Sequence, residues 1–241
     1  MAGASTPTIT LLTSGGSDTN AKTYTTASIS PKPNSLIIAM VWHYDVEAGF
    51  SAITASYSAT SGGGMTFTTI GAQGFTGQVL GGGYAFAPLN VDSGTITFDT
   101  GITNSEGAVW LIIEIQGATG VGTVPAFGGD SYRTSLDTLT LPTLSLRNEP
   151  NLAIGFFGSW DNAGGSLDFT EESGWTMFSE LSQTANADTL RICCVYYLDT
   201  TDTSVNVSVS AANDRLVGTR FEIILNEMYP QLRGIFLRKP N

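Results

Sequence analysis

Charge is the scarcest property of this chain. Only 13% of its 241 residues are Asp, Glu, Lys or Arg, about half the usual share. Ten are basic and 21 acidic, a net charge of -11. Nucleic-acid binding through a broad basic field is excluded, because neutralising phosphates requires clustered Lys and Arg. Histidine is nearly absent, with His43 alone, and the two cysteines, Cys193 and Cys194, are adjacent. A tetrahedral structural zinc site needs three or four such ligands, so no metal and no cofactor is expected. Successive strand residues point to opposite faces, so a disulfide between neighbouring cysteines is strained; both read as small core residues of a protein made in a reducing compartment. The longest apolar run, Leu36 to Trp42, has seven residues, far short of the roughly 20 that cross a bilayer as a helix. No membrane contact is expected. Met1 to Thr13 carries no basic residue and no apolar stretch, so no export signal is expected.

Helix signals are also missing, since Gly, Pro or Ser/Thr clusters interrupt every candidate apolar stripe. What the chain has in quantity is 32 Thr, 23 Ser and 28 Gly, the material of strands and tight turns. Val205, Val207 and Val209 alternate with Asn206, Ser208 and Ser210, one face for a core and one for water. Strands are predicted at Leu36–Trp42, Tyr84–Ala87, Thr95–Phe98, Val109–Ile115, Leu152–Phe157, Leu190–Leu198, Ser204–Ser210 and Thr219–Leu225. Short strands at regular spacing indicate sandwiches or barrels.

An internal repeat organises them. Pro33, Asn34, Leu36, Ile38 and Met40 match Pro150, Asn151, Leu152, Ile154 and Phe156 with a one-residue gap. Gly64, Met65 and Thr66 match Gly174, Trp175 and Thr176. Tyr84 and Phe86 match Val195 and Tyr197, Thr95 and Thr97 match Val205 and Val207, and Gly107, Trp110, Ile112 and Ile113 match Gly218, Phe221, Ile223 and Ile224. The expected fold is all-β: two tandem antiparallel, jelly-roll-like β-sandwich domains over 23–117 and 136–228. A glycine-rich connection over 118–135 lies between them, with an N-terminal arm at 1–22 and a C-terminal tail at 229–241. Val121, Val124 and Phe127 in the connection point to a packed pair.

The tail differs from the rest. Tyr229, Leu232, Ile235, Phe236 and Leu237 mix with Arg233, Arg238 and Lys239, and no acid follows Glu227. A strongly acidic body thus ends in an apolar, basic segment, which either folds back as one more strand or docks on another subunit. These eight residues are the expected partner-binding set.

Chemistry-bearing constellations are few. His43 lacks a nucleophile and an orienting group at any recognisable spacing. Asp161, Asp168, Glu171 and Glu172, and again Asp199 and Asp202, group carboxylates that in the right geometry serve glycoside hydrolysis or calcium, but neither spacing is a calcium loop and acidic turns also serve solubility. Gly62–Gly64 and Gly81–Gly83 precede strands, not helices, so they read as turns or bulges instead of phosphate cradles. No catalytic residue is assigned. Trp42, Tyr44 and Trp160, near strand ends, are the candidate platforms for stacking a glycan, whereas Met65 and Trp175 occupy matched core slots.

Leu36–Trp42 and parts of Val109–Ile115 are apolar on both faces, so something covers the outside of the sheet: the sister domain, the terminal segments or another subunit. The series Pro150-Asn151, Leu152–Phe157, Gly174-Trp175-Thr176, Leu190–Leu198, Ser204–Ser210 and Phe221–Leu225 resembles a pattern of tailed-bacteriophage virion proteins, with Met65 replacing the Trp in the first copy. The resemblance implies non-enzymatic sandwich modules that decorate heads, cement capsomers or build tail and fibre parts. The expectation is a capsid decoration or cement protein of the virion, made in the host cytoplasm. It would form a homo-oligomer and contact the major capsid or other virion proteins through apolar strand faces and terminal arms. A carbohydrate- or receptor-binding module of a tail fibre or baseplate is the alternative.

Overall fold

A computed structural model describes residues 7–44, 52–75, 77–103, 105–122, 126–129, 138–141, 151–161, 168–185, 188–198, 205–209 and 215–225. Among these residues there is no helix, and every strand pairing is antiparallel. The first half contains β1 (Thr8–Ser17), β2 (Thr23–Thr25), β3 (Leu36–Tyr44), β4 (Thr54–Ala59), β5 (Thr68–Phe75), β6 (Gln78–Phe86), β7 (Gly94–Asp99) and β8 (Gly107–Gln116). The second contains β9 (Ala118–Val121), β10 (Ala126–Gly129), β11 (Thr138–Leu141), β12 (Asn151–Asp161), β13 (Phe169–Glu171), β14 (Thr176–Ala185), β15 (Asp188–Leu198), β16 (Val205–Val209) and β17 (Arg215–Leu225).

In the first half a large sheet, β1-β8-β3-β6-β5, lies over a small one, β2-β7-β4. In the second, β10-β17-β12-β15-β14, with β9 also on β17, lies over β11-β16-β13. Strand for strand the two orders are the same. Each is a jelly roll in which the fifth strand hairpins onto the sixth and leaves the smaller sheet one strand short. Residues 8–17 of the expected N-terminal arm are the edge strand of the first large sheet, and the expected connection supplies β9 and β10 to the second.

Alternation within each strand builds three buried clusters. Ile37, Ala39, Val41, Ile96, Phe98, Trp110 and Ile112 fill the first sandwich, with Tyr24 and Met65. Leu139, Leu141, Ala153, Phe157, Trp175, Cys193, Val195 and Val207 fill the second. The opposite faces of the two large sheets, with Leu36, Ile38, Met40, Trp42 and Leu111 on one side and Leu152, Ile154, Phe156, Ile192 and Phe221 on the other, form a third cluster. The molecule is therefore four layers deep. The cover that the two-faced strands require is the sister half of the same chain, and these faces do not remain for another subunit. At about 1.5–3 kcal/mol per fully buried large side chain, this seam ranks with either core.

The repeat as matched in the sequence does not hold residue by residue. Leu36, Ile38 and Met40 and their matches do share the seam, and Met65 and Trp175 each plug their own core. The later matches slip. Val41 pairs with Trp110 and Phe157 with Gly218, which sets Trp110 against Gly218; Trp110 faces the first core while Phe221 faces the seam. Likewise Tyr84 corresponds to Tyr196, both beside the first threonine of an edge strand. Thr97 is part-exposed whereas its match Val207 is buried. An odd slip exchanges the two faces of a strand, and runs such as Ile112-Ile113 hide it in the sequence.

The corrected register exposes a signal that the sequence matches missed. Glu114 and Glu222 stand at corresponding positions and are each 1% exposed. Lys32 to Ser35 is a tight turn, closed by Ser35 N–H donating to Lys32 O at 3.2 Å, with Asn34 at φ 60, a left-handed position that Asn tolerates. Glu114 Oε1 accepts the Lys32 N–H at 2.5 Å and the Ser35 hydroxyl at 2.8 Å. In the second half Glu222 Oε1 accepts Asn151 Nδ2 at 3.4 Å. A carboxylate buried with its donors anchors the entry of each central strand.

Candidate functional site

The three aromatic residues read as glycan platforms all sit at one end of the seam. Trp42 is 0% exposed. Its Nε1 donates to Ser159 O at 2.9 Å, and its ring lies on the backbone of Gly158, where a Cβ would come within 2.5 Å of Cδ2. Trp42 is thus a core residue and has no face to offer a sugar. β3 runs two residues past the apolar run, to Tyr44, so Trp42 lies within the strand and not at its end. Tyr44 and Trp160 are part-buried and pack on each other across the seam, centroids 5.6 Å apart at 31°.

Carboxylates lie near this pair. Asp188, at the start of β15, is raised above the ordinary carboxylate range. Burial is the main cause, Glu106 and Asp161 add like charge, and a hydrogen bond from Trp160 works the other way. Asp161 is buried at the end of β12. Of the other acids of the expected cluster, Asp168 lies 3.5 Å from Arg191 Nη1, which also binds Glu180 at 3.0 Å, and Glu172 O accepts the Trp175 N–H at 3.1 Å. Asp199 and Asp202 lie outside the described residues, as do Tyr229, Leu232, Arg233, Ile235, Phe236, Leu237, Arg238 and Lys239. Among the described residues no group of three or more His, Cys, Asp or Glu is placed to hold a metal.

His43 is fully buried on the other face of β3, its Nδ1 3.2 Å from Ser105 Oγ. Burial lowers its pKa to about 4, and Ser105 is itself 0% exposed, so this pair has no access to a substrate. Cys193 and Cys194 face different clusters, the second core and the seam, and burial raises both thiols. They are packing residues. Gly81–Gly83 lie within β6 instead of before it, opposite the bulge of β5. At the far end of the seam Pro7, Ile9, Leu152, Phe178, Tyr196 and Leu198 line a groove of about 160 Å³, below the volume of a usual small-molecule site.

No family model, no curated protein and no solved structure matches this chain.

Proposed function

We propose that the protein is a non-enzymatic structural component of a tailed-phage particle, a capsid decoration or cement protein held in place by its C-terminal segment. The observation that carries this reading is the division of labour between body and tail. The apolar sheet faces are consumed between the two halves, while Tyr229 to Asn241 combines apolar residues with three basic ones and no acid. Contact with a neighbour thus passes to the tail, whose charge suits an acidic partner surface; the strand faces have no part in it. Self-association through those faces is not part of the proposal. A glycan-binding role is less well supported, because Tyr44 and Trp160 spend ring surface on each other.

Deleting Tyr229 to Asn241 tests the proposal. The truncated protein is expected to fold with an unchanged melting temperature and to be missing from purified virions by mass spectrometry, whereas the full chain is present. Incorporation of the truncated chain at the full level removes the anchoring role. Absence of the full chain from virions removes the virion assignment.

A further inference from the structure

We infer that the two halves are paired about an internal two-fold axis that passes between Trp42 and Gly158. The seam is then a closed self-pairing surface of the jelly roll, and the partner it fits is a second module of the same strand pattern, supplied here by the chain itself.

The strand contacts across the seam come in exchanged pairs. β1 touches β14 and β10 touches β5; β8 touches β14 and β17 touches β5; β8 touches β15 and β17 touches β6; β3 touches β15 and β12 touches β6. Replacing each strand by its counterpart in the other half turns one member of every pair into the other. This reciprocity, in which i meets j and j meets i, is what a two-fold imposes on a contact. A face-to-face packing without the axis has no reason to produce it.

The register supplies independent support. The β5–β6 ladder shifts between Thr69 and Gly71, and the β14–β15 ladder between Met177 and Ser179. Counted from the corresponding pairs Thr68–Tyr84 and Thr176–Tyr196, the bulged residues are Ile70 and Phe178, and both pack into the seam. With Leu36 corresponding to Leu152, Trp42 corresponds to Gly158 and Tyr44 to Trp160. Both pairs are in contact with each other, and a residue meets its own counterpart only on the axis.

The axis also explains why one of the pair is glycine. Two indoles cannot share one point, and two glycines would leave a hole. Trp42 fills the slot from one side, with Ser159 O as acceptor for its Nε1. The mirror arrangement places Trp at 158 with the carbonyl of His43 as acceptor. Asymmetry at this point makes the halves a knob and a hole. A half meeting its own kind has either a clash or a void there, which favours the pairing within the chain.

Reciprocal exchange tests this in the full chain. Trp42→Gly and Gly158→Trp are each expected to lower Tm by roughly 10 °C or more, from a cavity and from overpacking respectively. The double variant Trp42→Gly/Gly158→Trp is expected to recover at least half of the summed loss, because the plug returns from the other side. A double variant no better than the sum of the singles, or one that does not fold, overturns the axis. A milder exchange keeps the test readable. Tyr44→Trp/Trp160→Tyr should match the wild-type Tm within about 2 °C, and a loss larger than that of both singles together counts against the proposal.

Discussion

At the residue scale the one histidine sets a pH dependence. His43 is fully buried and its pKa falls from 6.5 to about 4 through desolvation. Above pH 6.5 it is neutral in the folded and unfolded chain alike and contributes nothing. As pH falls from 6.5 towards 4 the unfolded chain binds a proton that the folded chain refuses. Stability is therefore lost across that window, in total on the order of 3 kcal/mol, and no further below it. Urea titrations of the wild type and His43→Gln at pH 7 and pH 4.5 isolate the effect, since acid titration of the carboxylates is common to both. The wild type is expected to lose about 2–3 kcal/mol more than the variant. Equal losses would show that the imidazole is protonated without penalty.

At the element scale the strands depend on glycines where backbones meet. Gly82 adopts φ 155, and a Cβ there would stand 2.0 Å from the carbonyl oxygen of Ala39 on the neighbouring strand. Gly82→Ala is expected to cost at least about 3 kcal/mol, through strain and a forced ladder separation. Gly64→Ala, with nothing within 4 Å of its Cβ, should change stability by less than about 0.5 kcal/mol. Thermal melts of the two variants check this, and similar melts would contradict the packing described for β6. The central strands were legible in the sequence because apolar runs on two faces leave little choice: β3, β8, β12, β15 and β17 all contain their predicted segments. β4, β5 and β14 were not predicted. They hold few large apolar residues and are mostly exposed or half-buried, as in the alternating pattern of β4, with Ile70 of β5 a buried exception; their pairing comes from neighbours more than from their own hydrophobicity. Trp42 was misread for a related reason. Its position at the end of an apolar run is visible in the sequence, whereas the glycine that receives it lies 116 positions away and only the fold brings the two together.

At the scale of the whole molecule the seam ties the two sandwiches into one body. Trp42, Phe156 and Phe221 belong to a cluster that draws on both large sheets, so neither half loses its structure without exposing the other's apolar face. Scanning calorimetry is expected to give a single transition with equal calorimetric and van't Hoff enthalpies. Two resolved transitions would mean that the halves unfold independently and that the seam contributes little. The same burial gives a spectroscopic handle: Trp42 has no exposed surface while Trp160 is part-exposed.

The pairing of β1 with β8 governs the order in which a growing chain can mature. Residue 8 of the first strand waits for residue 116 of the last strand in its half, and the seam waits for β17, near the far end of the described chain. While the ribosome is still at work, the emerging first half shows water an apolar sheet whose cover has not been translated. Nascent chains of this protein should therefore engage holdase chaperones for most of their synthesis and be released only when the second jelly roll has closed.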